Sequence, residues 1–263
     1  PMQADTLLTG GAVITMDPAR RVIGNGAVAV SEGVITAIGT AAEMGAQVQA
    51  AEVIDTTGHV IFPGLIDVHA HAGHGLIKTI CGEVYTQVSP PAFWHAEGRL
   101  AALERLRFGV TTGVSLLGGG DTIMRSDHPD YAAAHCRGVL EVGTRSVVAI
   151  GPTRAPHPLS YADWESGTRQ PYPVSFAQQF DTSKTVSEDW HNTHAGRINI
   201  AMLYPVLRDE HERDMAAQDY AAACEQVRAV RAYARDKGLG FTQDGHWRGS
   251  IRRAQALGLL GPD

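Results

Sequence analysis

The sequence is poor in cysteine, with three in 263 residues, and Cys81, Cys136 and Cys224 are far apart and odd in number. No disulfide framework follows from that spacing, and a reducing cytoplasm is the expected compartment. A basic stripe is also missing: 22 Lys and Arg stand against 28 Asp and Glu, for a formal net charge of −6. That balance leaves no surface for neutralising phosphates, so a nucleic-acid partner is not expected. No apolar run approaches the ~20 residues that cross a bilayer, so no membrane partner is expected either. Pro1–Asp5 lack the basic and apolar regions of a secretion signal. The G-x-S-x-G elbow of a serine hydrolase is absent, so Asp127-His128-Pro129-Asp130 resembles a catalytic triad only superficially.

What is present is an ordinary globular composition, 44% hydrophobic and 19% charged, with ample material for a core. Residues 1–62 read as short strands broken by turns and predict a small antiparallel sheet, with Asn25-Gly26 and Glu32-Gly33 suited to tight turns. From residue 63 the rhythm changes to strands alternating with helices, a second unit spanning 63–263. Strands are predicted at about 65–70, 110–115, 146–150, 198–203 and 239–243. Helices are predicted over Ala96–Phe108, Tyr131–Glu141, Met215–Lys237 and Arg248–Leu257. Residues 152–195, rich in Pro, Ser, His and aromatics, read as a long irregular loop. Such alternation argues for a parallel sheet of right-handed βαβ units. Five strands fit an open doubly wound sheet or part of a closed barrel, which needs eight.

The sharpest feature is His69-Ala70-His71-Ala72-Gly73-His74, directly after an apolar strand. Two residues apart on an extended strand, His69 and His71 project to one side and can share a cation, since imidazole suits Zn²⁺, Fe²⁺ and related ions. His74, just beyond, is a candidate for substrate contact. The stretch Phe62-Pro63-Gly64-Leu65-Ile66-Asp67-Val68-His69-Ala70-His71 resembles the PGLIDxHxH signature of the metal-dependent amidohydrolase superfamily. Residues 5–62 are similar to the small β-sandwich segment preceding that signature. Leu103–Thr112 resemble the family's first helix and second strand, and Leu257–Pro262 a segment found after its fifth strand.

The resemblance implies a distorted (β/α)₈-type barrel, here incomplete at about five βα units, preceded by a small β-sandwich segment. It implies a hydrolase that attacks a non-peptide C–N bond of a small molecule with metal-activated water. His69 and His71 would be the first two ligands of one divalent ion, Zn²⁺ before Fe²⁺ or Mn²⁺. The fourth strand, Ile198–Leu203, has no lysine to bridge a second ion, so a mononuclear site is expected. A homo-oligomer is expected as well.

The sequence departs from the family in two places. The family places a histidine ligand at the end of the fifth strand and commonly a glutamate three residues later. Here Phe241-Thr242-Gln243-Asp244-Gly245-His246 sets Gln243 at the ligand position and His246 at that of the glutamate. Glutamine is a weak zinc ligand. Either His246 ligates from a shifted backbone, or Asp244 substitutes, or the site is altered; His246 is the preferred third ligand. Loss of the glutamate, which moves a proton to a ring nitrogen in nucleobase deaminases, argues against an aminopurine or cytosine substrate. The family's sixth-strand histidine and eighth-strand aspartate would also follow Leu257–Pro262, whereas the sequence stops at Asp263. A longer natural chain is therefore expected. The alternative is an impaired or metal-poor relative that serves as a binding or assembly protein.

Overall fold

A computed structural model of the chain describes residues 1–71, 88–117, 125–164 and 166–261. The chain divides into two compact units, Pro1–Gly64 and Leu65–Asp263.

The first unit is a five-stranded sheet in the order β3-β2-β1-β4, with β5 also paired to β1. Its strands are β1 (Met2–Ile14), β2 (Val22–Ser31), β3 (Val34–Thr40), β4 (Val48–Asp55) and β5 (Val60–Ile61). Glu32-Gly33 turns β2 into β3 with positive φ at both residues, as expected for a two-residue hairpin. Asn25-Gly26 does not turn the chain. It lies inside β2, where the positive φ of Asn25 accompanies a register shift against β1. The sheet is also mixed rather than purely antiparallel, because β4 and β5 run parallel to β1. The short helix α1 (Ala41–Gln47) makes that crossover. A capping box starts it: Thr40 Oγ1 accepts from the Glu43 N–H at 3.2 Å, and Glu43 Oε2 accepts from the Thr40 N–H at 3.0 Å.

The second unit carries a five-stranded parallel sheet, β12-β11-β8-β7-β6. Its strands are β6 (Leu65–His71), β7 (Val110–Leu116), β8 (Arg145–Ile150), β11 (Ile198–Leu203) and β12 (Gly240–Thr242), which match the expected positions closely. The helices are α2 (Pro91–Arg107), α3 (Asp130–Val142), α4 (Phe176–Trp190), α5 (Asp209–Asp214), α6 (Ala217–Asp236) and α7 (Ser250–Ala256). Alternation along the strands serves two cores. Val148, Ile150, Ile198 and Ile200 pack among α2, α3 and α4, with Trp94, Tyr131 and Val186. Ala149, Ala201, Leu203 and Leu116 cluster together on the opposite face. β6 and β12 are the sheet edges, and Leu65, Ile66 and Val68 stand exposed on β6.

The stretch 152–195 is ordered, contrary to the loop expectation. It forms the hairpin β9 (Leu159–Asp163) and β10 (Gln170–Val174), followed by α4. The hairpin is tied to the segment after β7: Arg125 Nη2 donates to Asp127 Oδ2 at 2.9 Å and to the Tyr172 hydroxyl, which donates to Asp127 at 2.5 Å. No described helix is long and apolar enough to cross a membrane.

α2 and α3 cross at two glycines. A Cβ on Gly138 would lie 2.3 Å from the His95 carbonyl oxygen, and one on Gly98 would lie 2.8 Å from that of His135. Gly138→Ala is therefore expected to destabilise the chain by about 1–3 kcal/mol through overpacking, despite alanine's better helix propensity. Gly45→Ala in α1 meets nothing within 4 Å and should stabilise by roughly 0.5–1 kcal/mol. Urea midpoints of the two variants test the pair; equal and small shifts would show that the helix crossing is loose.

Candidate metal centre

The C-terminal ends of the first and fifth strands of the parallel sheet meet. His71 Nε2 lies 3.3 Å from Asp244 Oδ2, and His69 Nε2 lies 3.8 Å from Asp244 Oδ1. Four inter-strand gaps in a flat sheet would separate the edge strands by about 19 Å. The sheet must therefore curl to bring β6 and the end of β12 to hydrogen-bonding range. Ligand atoms of His69, His71 and Asp244 all lie within 4.8 Å of one another, and the two imidazoles meet edge to face with centroids 5.0 Å apart.

This donor set fits a divalent ion on its chemistry. Two imidazole nitrogens and a carboxylate are the ligand types that zinc takes in open, three-residue sites. His71 and Asp244 are largely screened, with side chains 16% and 26% exposed, while His69 is 47% exposed. Partial burial pushes the Asp244 carboxyl up. The His246 hydrogen bond and the charges of His246, His71 and His69 outweigh that, holding it below the usual carboxylate range.

The expected residues are placed as follows. His69 and His71 sit together at the end of β6. His246 is not among the three side chains that converge. Its ring is 61% exposed, stacks obliquely on Trp247, and its Nδ1 donates to Asp244 Oδ1 at 2.5 Å. Asp244, weighed in the sequence as a substitute, is the side chain that the backbone beyond β12 turns toward the two imidazoles. Gln243 is committed elsewhere, its amide donating to the carbonyls of Tyr204 at 3.2 Å and Pro205 at 3.4 Å past the end of β11. His74 lies outside the described residues. Trp94 is core, with its indole N–H on Ser89 Oγ at 3.1 Å, and His95 pairs with Glu141 of α3 at 2.7 Å.

No protein-family model matches the chain. Curated relatives do match. Over 82 residues the chain is 39% identical to a 5-methylthioadenosine/S-adenosylhomocysteine deaminase of Syntrophobacter fumaroxidans, covering 31% of this chain and 19% of that protein. Over 198 residues it is 26% identical to a 5'-deoxyadenosine deaminase of Methanococcoides burtonii, covering 75% of this chain and 41% of that one. The fold is shared with a crystal structure of an adenosine deaminase from Xanthomonas campestris with bound zinc. There the TM-score is 0.70 at 19% identity, over 99% of this chain and 56% of the other. These deaminases, like the structural neighbour, are members of the amidohydrolase superfamily, which is what the chain resembles. The chain spans less than half the length of these two curated relatives.

Following β8, the chain builds a polar network that sequence patterns do not reveal. Gln179 of α4 accepts from the Thr153 N–H at 3.1 Å and hydroxyl at 2.9 Å, and donates to the Tyr161 hydroxyl at 2.8 Å. His157 lies between Gln179 Oε1 at 3.3 Å and Gln226 Nε2 at 3.5 Å. Burial pulls the His157 pKa down, and the Gln179 hydrogen bond offsets part of that. The network fixes the segment after β8 against α4 and α6.

Proposed function

We propose that the chain holds one divalent cation, Zn²⁺ before Fe²⁺ or Mn²⁺, on His69, His71 and Asp244. The reaction proposed is hydrolysis of a non-peptide C–N bond, in an amide, amidine or amine, of a small molecule. The observation that carries this reading is the convergence of three ligand-type side chains within 4.8 Å across the curl of the sheet. A bound ion would supply Lewis acidity and an activated water at neutral pH. The protein's own part is to present two imidazoles from one strand and a carboxylate that stays ionised, so the ligands need little rearrangement. His246 fixes Asp244 Oδ1 and leaves Oδ2 toward His71. Among the described residues, its exposed ring at the rim is the group best placed to pass a proton to a departing nitrogen. Against the expectation drawn from the missing glutamate, two of the relatives described above are deaminases of adenosine derivatives, which makes ammonia release from an adenosine-type nucleoside the first activity to test, ahead of amides and amidines.

The competing reading, a metal-poor binding protein, draws support from Gln243, which replaces a ligand and points its amide at backbone carbonyls. Metal analysis separates the two. The purified protein is expected to retain zinc, iron or manganese and to release ammonia in a chelator-sensitive way. His69→Ala combined with His71→Ala should lose the metal while keeping its circular dichroism. A double variant with full metal content, or a metal-free wild type, would overturn the proposal.

A further inference from the structure

β6 contains a break in register that decides which way its histidines face. Asp67 lies opposite Gly113 of β7, but Ala70 lies opposite Ser115, so β6 takes three steps where β7 takes two. One extra residue is therefore accommodated at Val68–His69, opposite Val114, as a β-bulge. In an unbroken strand Asp67, His69 and His71 would share one face, because side chains repeat every two residues. An extra residue reverses the parity. Asp67 is thereby turned to α2, while His69 and His71 are turned to Asp244.

The side of β6 away from the cluster is held by one guanidinium. Arg105 of α2, with its side chain 14% exposed, donates through Nε to Asp67 Oδ2 at 3.0 Å. Its Nη1 donates to Ser115 Oγ at 3.0 Å and its Nη2 to the Val114 carbonyl at 3.0 Å. The other Asp67 oxygen, Oδ1, accepts from the backbone N–H of His69 at 3.2 Å. Gly113 makes the room: a Cβ there would lie 2.6 Å from Arg105 Cζ and Nη1. Arg105 thus grips β7 at Val114 and Ser115, and through Asp67 it holds the backbone of a candidate ligand.

We infer that Arg105, acting through Asp67, is a positioning residue that locks the β6 bulge and so aims His69 and His71 at the cation. This rests on the metal reading above. A planar fork with fixed donor directions is needed to reach Asp67, Ser115 and Val114 at once, which the single ammonium of lysine does not provide.

The test measures zinc affinity by chelator competition together with hydrogen exchange of the His69 amide in metal-free protein. Arg105→Gln and Asp67→Asn should each weaken zinc by about 10–100-fold, and the double variant should be no weaker than the worse single. Arg105→Lys should not rescue. Ser115→Ala, which leaves the Asp67 contact in place, should stay within about threefold of wild type. Gly113→Ala, which crowds the guanidinium out of its slot while keeping its charge, should reproduce the zinc loss and covers the case in which Arg105→Gln folds poorly. In metal-free protein the His69 amide should exchange faster in Arg105→Gln and Gly113→Ala. Wild-type zinc affinity in folded Arg105→Gln, with an unchanged amide rate, overturns this inference alone. A wild type that takes no zinc overturns the metal reading instead, and the amide rates then decide the bulge separately.

Discussion

Asp244→Ala is expected to bring zinc binding below detection, whereas His246→Ala should weaken it by roughly tenfold, in the range of a lost outer hydrogen bond. The asymmetry follows from geometry. Asp244 offers both oxygens to the imidazoles of His69 and His71, at 3.8 and 3.3 Å, and is the one negative charge in the cluster. Removing it leaves two imidazole donors, too few to compete with water for a divalent ion. His246 touches Asp244 but not the pair, so its loss frees the carboxylate to rotate without deleting a donor. Its hydrogen bond also helps keep Asp244 ionised, so His246→Ala should move the acid limb of zinc binding to higher pH. Calorimetric titration of both variants with zinc decides the matter. A larger loss in His246→Ala than in Asp244→Ala, or a zinc-loaded structure with His246 nitrogen at about 2.0–2.1 Å from the ion, would return the third-ligand role to His246.

The choice between those two residues shows where sequence reasoning stops. His69 and His71 are legible because they lie on a strand, where spacing alone fixes that they share a face. Past Thr242 the strand has ended, and residues 243–246 follow no period. Which of Gln243, Asp244 and His246 turns inward is then set by tertiary contacts, such as the Gln243 amide on Tyr204 and Pro205. The five parallel strands are legible for a similar reason: each is a β-branched or apolar run, and Gly109, with φ of +80°, ends the helix before β7 as a left-handed residue should. α4 escapes because its buried face is mostly polar. Gln179, Thr182, Ser183 and Ser187 sit inside with Val186, so apolar residues do not recur at helical spacing. The hairpin before it is hidden by Pro171 and Pro173, which a two-stranded ribbon tolerates but which argue against a strand in general. The β6 bulge is illegible for a deeper reason. It rests on Arg105, a helix residue 38 positions from Asp67, and no local pattern reports that pairing.

Acid stability is expected to be governed in part by His135, which lies wholly buried on α3 with neither ring nitrogen hydrogen-bonded. Burial pulls its pKa from 6.5 to about 3, and the nearby Arg105 guanidinium pulls the same way. Above pH 6.5 the ring is neutral in both folded and unfolded chains and contributes no pH dependence. As pH falls below 6.5 the unfolded chain takes up a proton that the folded chain refuses, so stability drops until the folded pKa near 3 is passed. At its steepest the loss is about 1.4 kcal/mol per pH unit, and across the whole window it amounts to roughly 5 kcal/mol. That is a large share of the stability of a typical domain. His135→Leu removes the titrating ring and two buried polar nitrogens without adding much volume. Other titrating groups are common to both proteins, so they cancel in the difference. Urea unfolding at pH 7.0 and 4.5 should therefore show the variant gaining on wild type by about 2–3 kcal/mol as the pH is lowered. Unfolding curves that fall in parallel for the two proteins would mean that His135 accepts its proton in the folded state, which requires α2 and α3 to admit water at their crossing.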